Sequence, residues 1–197
     1  MEQLILARHG ETVWNTRQLV NGDPSVDVRL SEQGRAEARR LGVALAGEQV
    51  DLCVTSGFPR TDETAELALE DRVIPRLIVA DLGDPDYGSF EGGPLDEYRA
   101  WAAANPSSAA PGGDGEARHA IVGRYARGFR LLLERPERTI LAVLHSLPVA
   151  YALAAHDGSP PVPRVPLVQN AHPYPFTRSE LEGVVDLLEG WCAAPTW

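Results

Sequence analysis

The 197-residue sequence predicts an α/β fold, a three-layer α/β/α sandwich around a mostly parallel sheet. Two observations predict it. Short apolar runs alternate with longer segments of helical period, the pattern of βα units whose strands are covered on both faces. No internal repeat and no shift in composition divides the chain, so it reads as one domain, 1–197, with a lid-like excursion around 81–116.

Each element follows in order. Leu4 to Ala7 is a buried strand that runs into Arg8-His9-Gly10. Residues 10 to 30 hold turn formers, including Asn21-Gly22-Asp23-Pro24, and read as a long loop. Ser31 is the expected N-cap of a helix carried by Ala38, Leu41 and Leu45. Asp51 to Thr55 is a second strand, Arg60 to Leu69 a helix, and Val73 to Ala80 strand-like. Residues 81 to 94 are rich in Gly, Asp and Pro and predict a loop, followed by a helix over Asp96 to Ala104. Asn105 to Gly115 is a small-residue segment expected to be mobile. Ile121, Tyr125, Phe129 and Leu132 give one face of a long helix over Ala117 to Glu134. Thr139 to Leu144 is the clearest strand and ends at His145-Ser146. A helix over Pro148 to Ala155 and a proline-rich loop over Gly158 to Pro166 follow. The tail predicts two short strands, Tyr174 to Thr177 and Gly183 to Leu188.

Composition narrows the function. No apolar run is long enough to span a membrane, and the first residues lack the basic region of a signal peptide, so the expectation is a cytoplasmic protein without membrane partners. The net charge of -10 argues against nucleic-acid binding. Cys53 and Cys192 do not form a metal-type pair, and Cys53 reads as a buried reduced thiol. All 18 basic residues are arginine, which excludes a Walker-A lysine, a Schiff-base lysine and a Ser-x-x-Lys nucleophile.

In a sheet of this kind ligands bind beyond the carboxyl ends of the strands. Three such ends carry reactive or cationic groups: Arg8-His9, Ser56 to Arg60, and His145-Ser146. Two histidines and two arginines would then face one crevice. Planar guanidinium groups suit a tetrahedral dianion, and a neutral imidazole is a competent nucleophile. Singly, each residue has a bland reading as core filler or solvated helix surface. Their joint placement at strand ends points to phosphoryl chemistry.

At that point the residues resemble a family. Leu6-Ala7-Arg8-His9-Gly10-Glu11-Thr12-Val13-Trp14-Asn15 is similar to the opening motif of the histidine phosphatase superfamily, which includes cofactor-dependent phosphoglycerate mutases and their phosphatase relatives. Leu30-Ser31-Glu32-Gln33-Gly34, Thr55 to Ala65, Tyr87 to Gly92, Leu144-His145-Ser146 and Gln169-Asn170-Ala171 resemble its later motifs, in order and over nearly the whole chain. The resemblance implies a phosphoglycerate mutase-like fold with His9 attacking phosphorus in line. It implies that Arg8, Arg60 and His145 hold the phosphoryl oxygens, and that Asn15, Gly10 and the Ser146 N–H contribute to substrate binding. It implies neither metal nor other cofactor, because the arginines and His145 supply the charge. Laying the pattern on this chain puts Asp84 where the family usually has the glutamate acid, with Asp86 and Glu91 as fallbacks. Ser146 stands for the usual glycine and Phe90 for the usual tryptophan.

The implied activity is metal-independent hydrolysis of small phosphate monoesters through a phosphohistidine. The alternatives are a mutase, which must retain its intermediate and exclude water, and a catalytically weak phospho-ligand sensor on the same scaffold. The short, glycine-rich 81–116 excursion favours the phosphatase. Tyr98, Trp101, Tyr174 and Phe176 are candidates for a specificity pocket. The expected partner is a small phosphorylated molecule, and oligomeric state stays open, a homodimer included.

Overall fold

The computed structural model describes residues 1–70 and 72–197. Among these residues five strands form one sheet: β1 (Gln3–Arg8), β2 (Leu52–Thr55), β3 (Arg76–Ile78), β4 (Thr139–Leu144) and β5 (Tyr174–Thr177), in the order β3-β2-β4-β1-β5. β1, β2, β3 and β4 pair in parallel, and β5 closes the β1 edge antiparallel, with Gln3 opposite Thr177. The described residues also form six α-helices, α1 (Glu32–Ala44), α2 (Pro59–Ala68), α3 (Leu95–Ala104), α4 (Arg118–Leu133), α5 (Ser146–His156) and α6 (Arg178–Ala193), and all but α3 contribute to the two cores that cover the sheet.

Alternation along the strands explains the three layers. Successive side chains point to opposite faces. Leu4, Leu6, Ile140, Ala142 and Leu144 therefore join one core with Ile121, Tyr125 and Phe129 of α4, Val149 of α5 and Leu181 and Leu188 of α6. Ile5, Ala7, Leu141 and Val143 join the other with Leu41 of α1 and Ala65 and Ala68 of α2. Strands buried on both faces read as continuous apolar runs, which is why β1 and β4 were legible. A small third cluster, Val20, Tyr87, Tyr98 and Ala102, attaches α3 and the 81–94 loop to the loop after β1.

Three expectations need correction. Gly183 to Leu188 is not a strand but the middle of α6. Leu181, Val184, Val185 and Leu188 recur at helical spacing and are all buried, and Thr177 and Glu180 form a capping box that starts the helix. The strand expected over Val73 to Ala80 shrinks to Arg76–Ile78. Pro75 has no N–H to give and only its carbonyl pairs, with Cys53, while Ala80–Leu82 turns into a 3-10 helix. The helix expected from Pro148 begins at Ser146, because Pro148 sits in the first turn, where its missing N–H is not needed.

Ser31 caps α1 as expected, its hydroxyl accepting from the Gly34 N–H at 3.0 Å. The small-residue 105–115 segment is hydrogen-bonded: the Ser107 hydroxyl donates to Trp197, and Gly115 closes onto Pro111. Cys53 and Cys192 are both free, and Cys53 is buried. Among the described residues no helix is long and apolar enough to cross a membrane.

Candidate active site

The carboxyl ends of β1, β2 and β4 converge on one cleft of about 110 Å³. Arg8, His9, Asn15, Arg60, Asp84 and Ser146 all line it. These six sequence-nominated residues come from five separate segments, and the sheet topology is what assembles them.

His9 follows the last residue of β1 and is 3% exposed. Its backbone is fixed from both sides. Its N–H donates to the Leu144 carbonyl at 2.9 Å, and its carbonyl accepts from the Asn170 side chain at 2.7 Å. The ring Nδ1 lies 2.7 Å from the Gly10 carbonyl. A carbonyl can only accept, so Nδ1 carries the proton and Nε2 keeps the free lone pair. Burial, then the Arg60 and Arg8 guanidiniums, push the imidazole well below its ordinary range, so the ring is neutral near neutral pH. A neutral imidazole with one free nitrogen is the form that can attack an electrophile.

Arg8 reaches the Val168 carbonyl through one amino group at 2.8 Å, and its buried Nε has no protein partner among the described residues. The 168–171 segment thus holds both Arg8 and His9. Ala171 adopts a φ of 45°, the left-handed turn that brings its N–H to the Arg8 carbonyl at 2.8 Å. Arg60, one residue after the proline that opens α2, is 3% exposed. It donates to the Asn21 side chain at 2.6 Å, to the Asn21 carbonyl at 2.9 Å and to Asp84 at 2.8 Å. Asn15 accepts from the Thr12 N–H through its carbonyl oxygen, which leaves its amide N–H group for a ligand.

Asp84 bridges Arg60 and His145, whose Nδ1 lies 3.1 Å from the carboxylate without hydrogen-bond alignment. Burial raises the Asp84 carboxyl, but the His145 ring and the Arg60 guanidinium outweigh it and hold the group below the usual carboxylate range. Asp84 is therefore ionised when no ligand is bound. Its backbone is pinned by α4: Arg124 donates to the carbonyls of Asp81, Gly83 and Asp84, and Tyr125 to that of Gly83. Asp86 instead closes a turn onto the Gly88 N–H, and Glu91 accepts from Gly22 and Asn21, so both fallback carboxylates are spent on the loops.

His145 sits beneath the cleft rather than in it. It is 0% exposed, 5.4 Å ring-to-ring from His9, and its Nε2 is 2.7 Å from the Ser56 hydroxyl. Burial drives it down to about 4, so it is neutral near pH 7 and the cationic charge at the cleft belongs to arginine. Facing an ionised Asp84, its Nδ1 carries the proton, and Ser56 donates to Nε2. Ser146 takes no positive φ, so serine is unstrained there, and its hydroxyl accepts from the Val168 N–H at 3.0 Å. Gly10 does not line the cleft. Its N–H is bound by Thr64 and its carbonyl by His9, so it orients the ring rather than touching a ligand. Tyr98 lines the cleft with Trp101 stacked behind it at 6.0 Å, whereas Tyr174 and Phe176 lie on β5, away from it.

Sequence reasoning missed Asn21, Arg118 and Arg124. Asn21 was hidden inside a turn signature, and the two arginines lie on α4 between its core positions, where an arginine ordinarily reads as solvated. His9, Asp84 and His145 offer ligand atoms within 4.8 Å of one another, a spacing a metal ion could use. The Arg8 and Arg60 guanidiniums beside them oppose a divalent cation.

Comparison with known proteins bears on this geometry. The model of the histidine phosphatase superfamily (branch 1) matches residues 4–183. The chain is 37% identical over 97 residues to the uncharacterized phosphatase PhoE of Bacillus subtilis, covering 49% of each protein. It is 42% identical over 102 residues to a 2,3-bisphosphoglycerate-dependent phosphoglycerate mutase of Methylobacterium, covering 49% of this chain and 48% of the mutase. The chain thus spans about half the length of these curated relatives. Solved structures match more of it. Bacillus stearothermophilus YhfR superposes with a TM-score of 0.73 at 28% identity, covering 88% of this chain and 89% of that one. The alpha-ribazole phosphatase of Shigella flexneri gives 0.73 at 26% identity, with coverage of 88% and 89%. The superfamily match spans every segment that reaches the cleft, from Arg8 and His9 to Leu167, and the fold is shared over most of the chain, so this protein belongs to the histidine phosphatase superfamily, branch 1.

Proposed function

We propose that this protein is a metal-independent phosphatase that hydrolyses small phosphate monoesters through phosphorylated His9. The observation that carries this reading is the fixed tautomer of His9, neutral and with Nε2 free, in a cleft walled by Arg8 and Arg60. The Nε2 lone pair attacks phosphorus while the P–O ester bond breaks in line. Arg8, through its unpartnered Nε, Arg60, and the Asn15 amide bind the equatorial oxygens, which carry the charge of the transition state. The Gly10 carbonyl stabilises the ring cation that forms on phosphorylation.

Asp84 supplies the proton for the leaving alkoxide and later accepts one from the attacking water. It starts ionised, on Arg60. A bound phosphoryl group shares that guanidinium and places negative charge beside the carboxylate, which raises its proton affinity, so Asp84 takes up one proton from solvent as the ester binds and passes it to the leaving oxygen when the P–O bond breaks. His145, neutral and hydrogen-bonded to Ser56, orients Asp84 from below.

Similarity over most of the chain to an alpha-ribazole phosphatase supports hydrolysis. Similarity to phosphoglycerate mutases over half the chain keeps phosphoryl transfer between hydroxyls as the second reading. Phosphate release from a panel of monoesters, with chelator present, tests the proposal. Turnover is expected in the wild type and should vanish in His9→Ala. Equal release by both proteins would exclude His9 as the nucleophile. Release by neither, with isomerised product instead in the wild type, would favour the mutase.

A further inference from the structure

The cleft holds more positive charge than one phosphoryl group can neutralise. Five arginines line it, Arg8, Arg60, Arg99, Arg118 and Arg164, against one carboxylate, Asp84. This occurs in a protein whose net charge is -10. Arg8 and Arg60 stand beside His9 and suffice for a dianion. Arg99, Arg118 and Arg164 are left over.

Arg118 is the informative one. It is 8% exposed, and its guanidinium donates only to tyrosine hydroxyls, Tyr98 at 3.0 Å and Tyr151 at 3.3 Å. No carboxylate lies within 4.0 Å of it among the described residues. Its neighbour Glu116 is taken, both oxygens accepting from Arg124. Arg118 is also the first residue of α4, where the helix dipole disfavours a cation. A buried charge without a counter-ion is costly, and here the dipole adds to the cost. Arg99 on α3 and Arg164 in the proline-rich loop border the same part of the cleft. Burial and then the Arg164 charge, with Arg118 contributing, push the Arg99 guanidinium down, so the three cations feel one another across the cleft. Arg99 has one weak protein acceptor, the Val165 carbonyl at 3.4 Å.

We infer that Arg118, with Arg99 and Arg164 at the rim, is a second anion site, and that the substrate carries a second negative group, a carboxylate or a further phosphate, on the alcohol portion that leaves. The inference rests on the proposed phosphatase reading for the word substrate, but the site itself is a statement about binding. Arg118 anchors the tail, and Tyr98, held between Arg118 and the Tyr87 ring, forms the apolar wall between the two anionic ends.

Linear alkyl phosphates of two to six carbons test it, ending in a methyl group, a carboxylate or a second phosphate. Affinity is measured by calorimetry on the wild type and on Arg118→Met, so the result does not depend on turnover. At the chain length that fits, a terminal anion should bind at least about tenfold tighter than the methyl end, a charge-assisted contact. That ratio should collapse in Arg118→Met. Because the substitution also leaves the buried Tyr98 hydroxyl without its Arg118 donor, thermal melting of the ligand-free variant checks first that it folds. Whichever anionic end gains more identifies carboxylate or phosphate as the natural group. Equal affinity for all three ends in the wild type, or a preference that survives Arg118→Met, would overturn the inference. If Arg118→Met does not fold, the double variant Arg99→Gln, Arg164→Gln decides: a several-fold smaller preference supports the site, and an unchanged one overturns it. Absence of hydrolysis with the preference intact would instead refute only the phosphatase reading.

Discussion

Gly34→Ala tests how His9, the proposed nucleophile, is held in place. Gly34 lies in the first turn of α1 and does not line the cleft, yet it packs against the backbone that follows His9. A Cβ there would meet the Glu11 carbonyl oxygen head-on and lie 2.8 Å from both the Glu11 carbonyl carbon and its amide nitrogen. Ordinary carbon contacts need about 3.5 Å, so α1 and the 10–12 loop must part by on the order of 1 Å. The loop cannot absorb this locally. Gly10, Glu11 and Ser31 are tied to Thr64, Glu37 and each other by hydrogen bonds of 2.7 to 3.0 Å. The Gly10 carbonyl that sets the His9 tautomer moves with the loop. A displacement of about 1 Å costs roughly 100-fold in rate when it misaligns attack. Alanine would gain about 1 kcal/mol of helix propensity, while overpacking against rigid backbone costs about 1–3 kcal/mol, so a net loss of stability is expected. The assay is phosphate release on the best ester of the panel, with thermal melting followed by circular dichroism. Activity within twofold of wild type, or a raised Tm, would refute the claim that this glycine contact positions His9.

Further predictions concern proton chemistry and capping. His9 and His145 are both depressed in the folded state below the unfolded value of about 6.5. Unfolding therefore takes up protons as pH falls below that value. Stability present above pH 6.5 should decline by about 1.4 kcal/mol per pH unit for each histidine, down towards pH 4 for His145. Urea midpoints measured from pH 7 to 5 check this, and a flat profile would contradict it. Asp84→Asn should slow hydrolysis of alkyl phosphates by about 10²–10⁴-fold. It should spare the first step with 4-nitrophenyl phosphate, whose leaving group needs no proton; equal losses on both esters would remove Asp84 from the acid role. Thr177→Ala breaks the capping box of α6 and should cost about 1 kcal/mol in chemical denaturation.

The strands and the line of catalytic candidates were legible in the sequence for one physical reason. Strands buried on both faces leave uninterrupted apolar runs, and in a parallel sheet the residue just past such a run faces the crevice. That located His9 and His145, and β2 led to Arg60. The tail misled because Val184 and Val185 suit a strand locally and Gly183 weakens a helix, while the helix is decided by tertiary burial of Leu181 and Leu188 and by a cap six residues upstream of Gly183. The difference between His9 and His145 was also invisible. Both follow a strand, but one lines the cleft and the other lies under Asp84, and only packing depth separates them. Asn21 and Arg118 could not be nominated, since their meaning lies in partners 39 and 33 residues away.

The most direct test of the phosphohistidine is to trap it. The protein is mixed with excess ester, quenched in alkali, and digested for mass spectrometry, because a phosphoryl–imidazole bond survives base and is lost in acid. The geometry predicts a base-stable, acid-labile phosphoryl group on His9 that forms without added metal and is absent from His9→Ala. A phosphoryl group on any other residue, or rapid turnover with none trapped on His9, would contradict it.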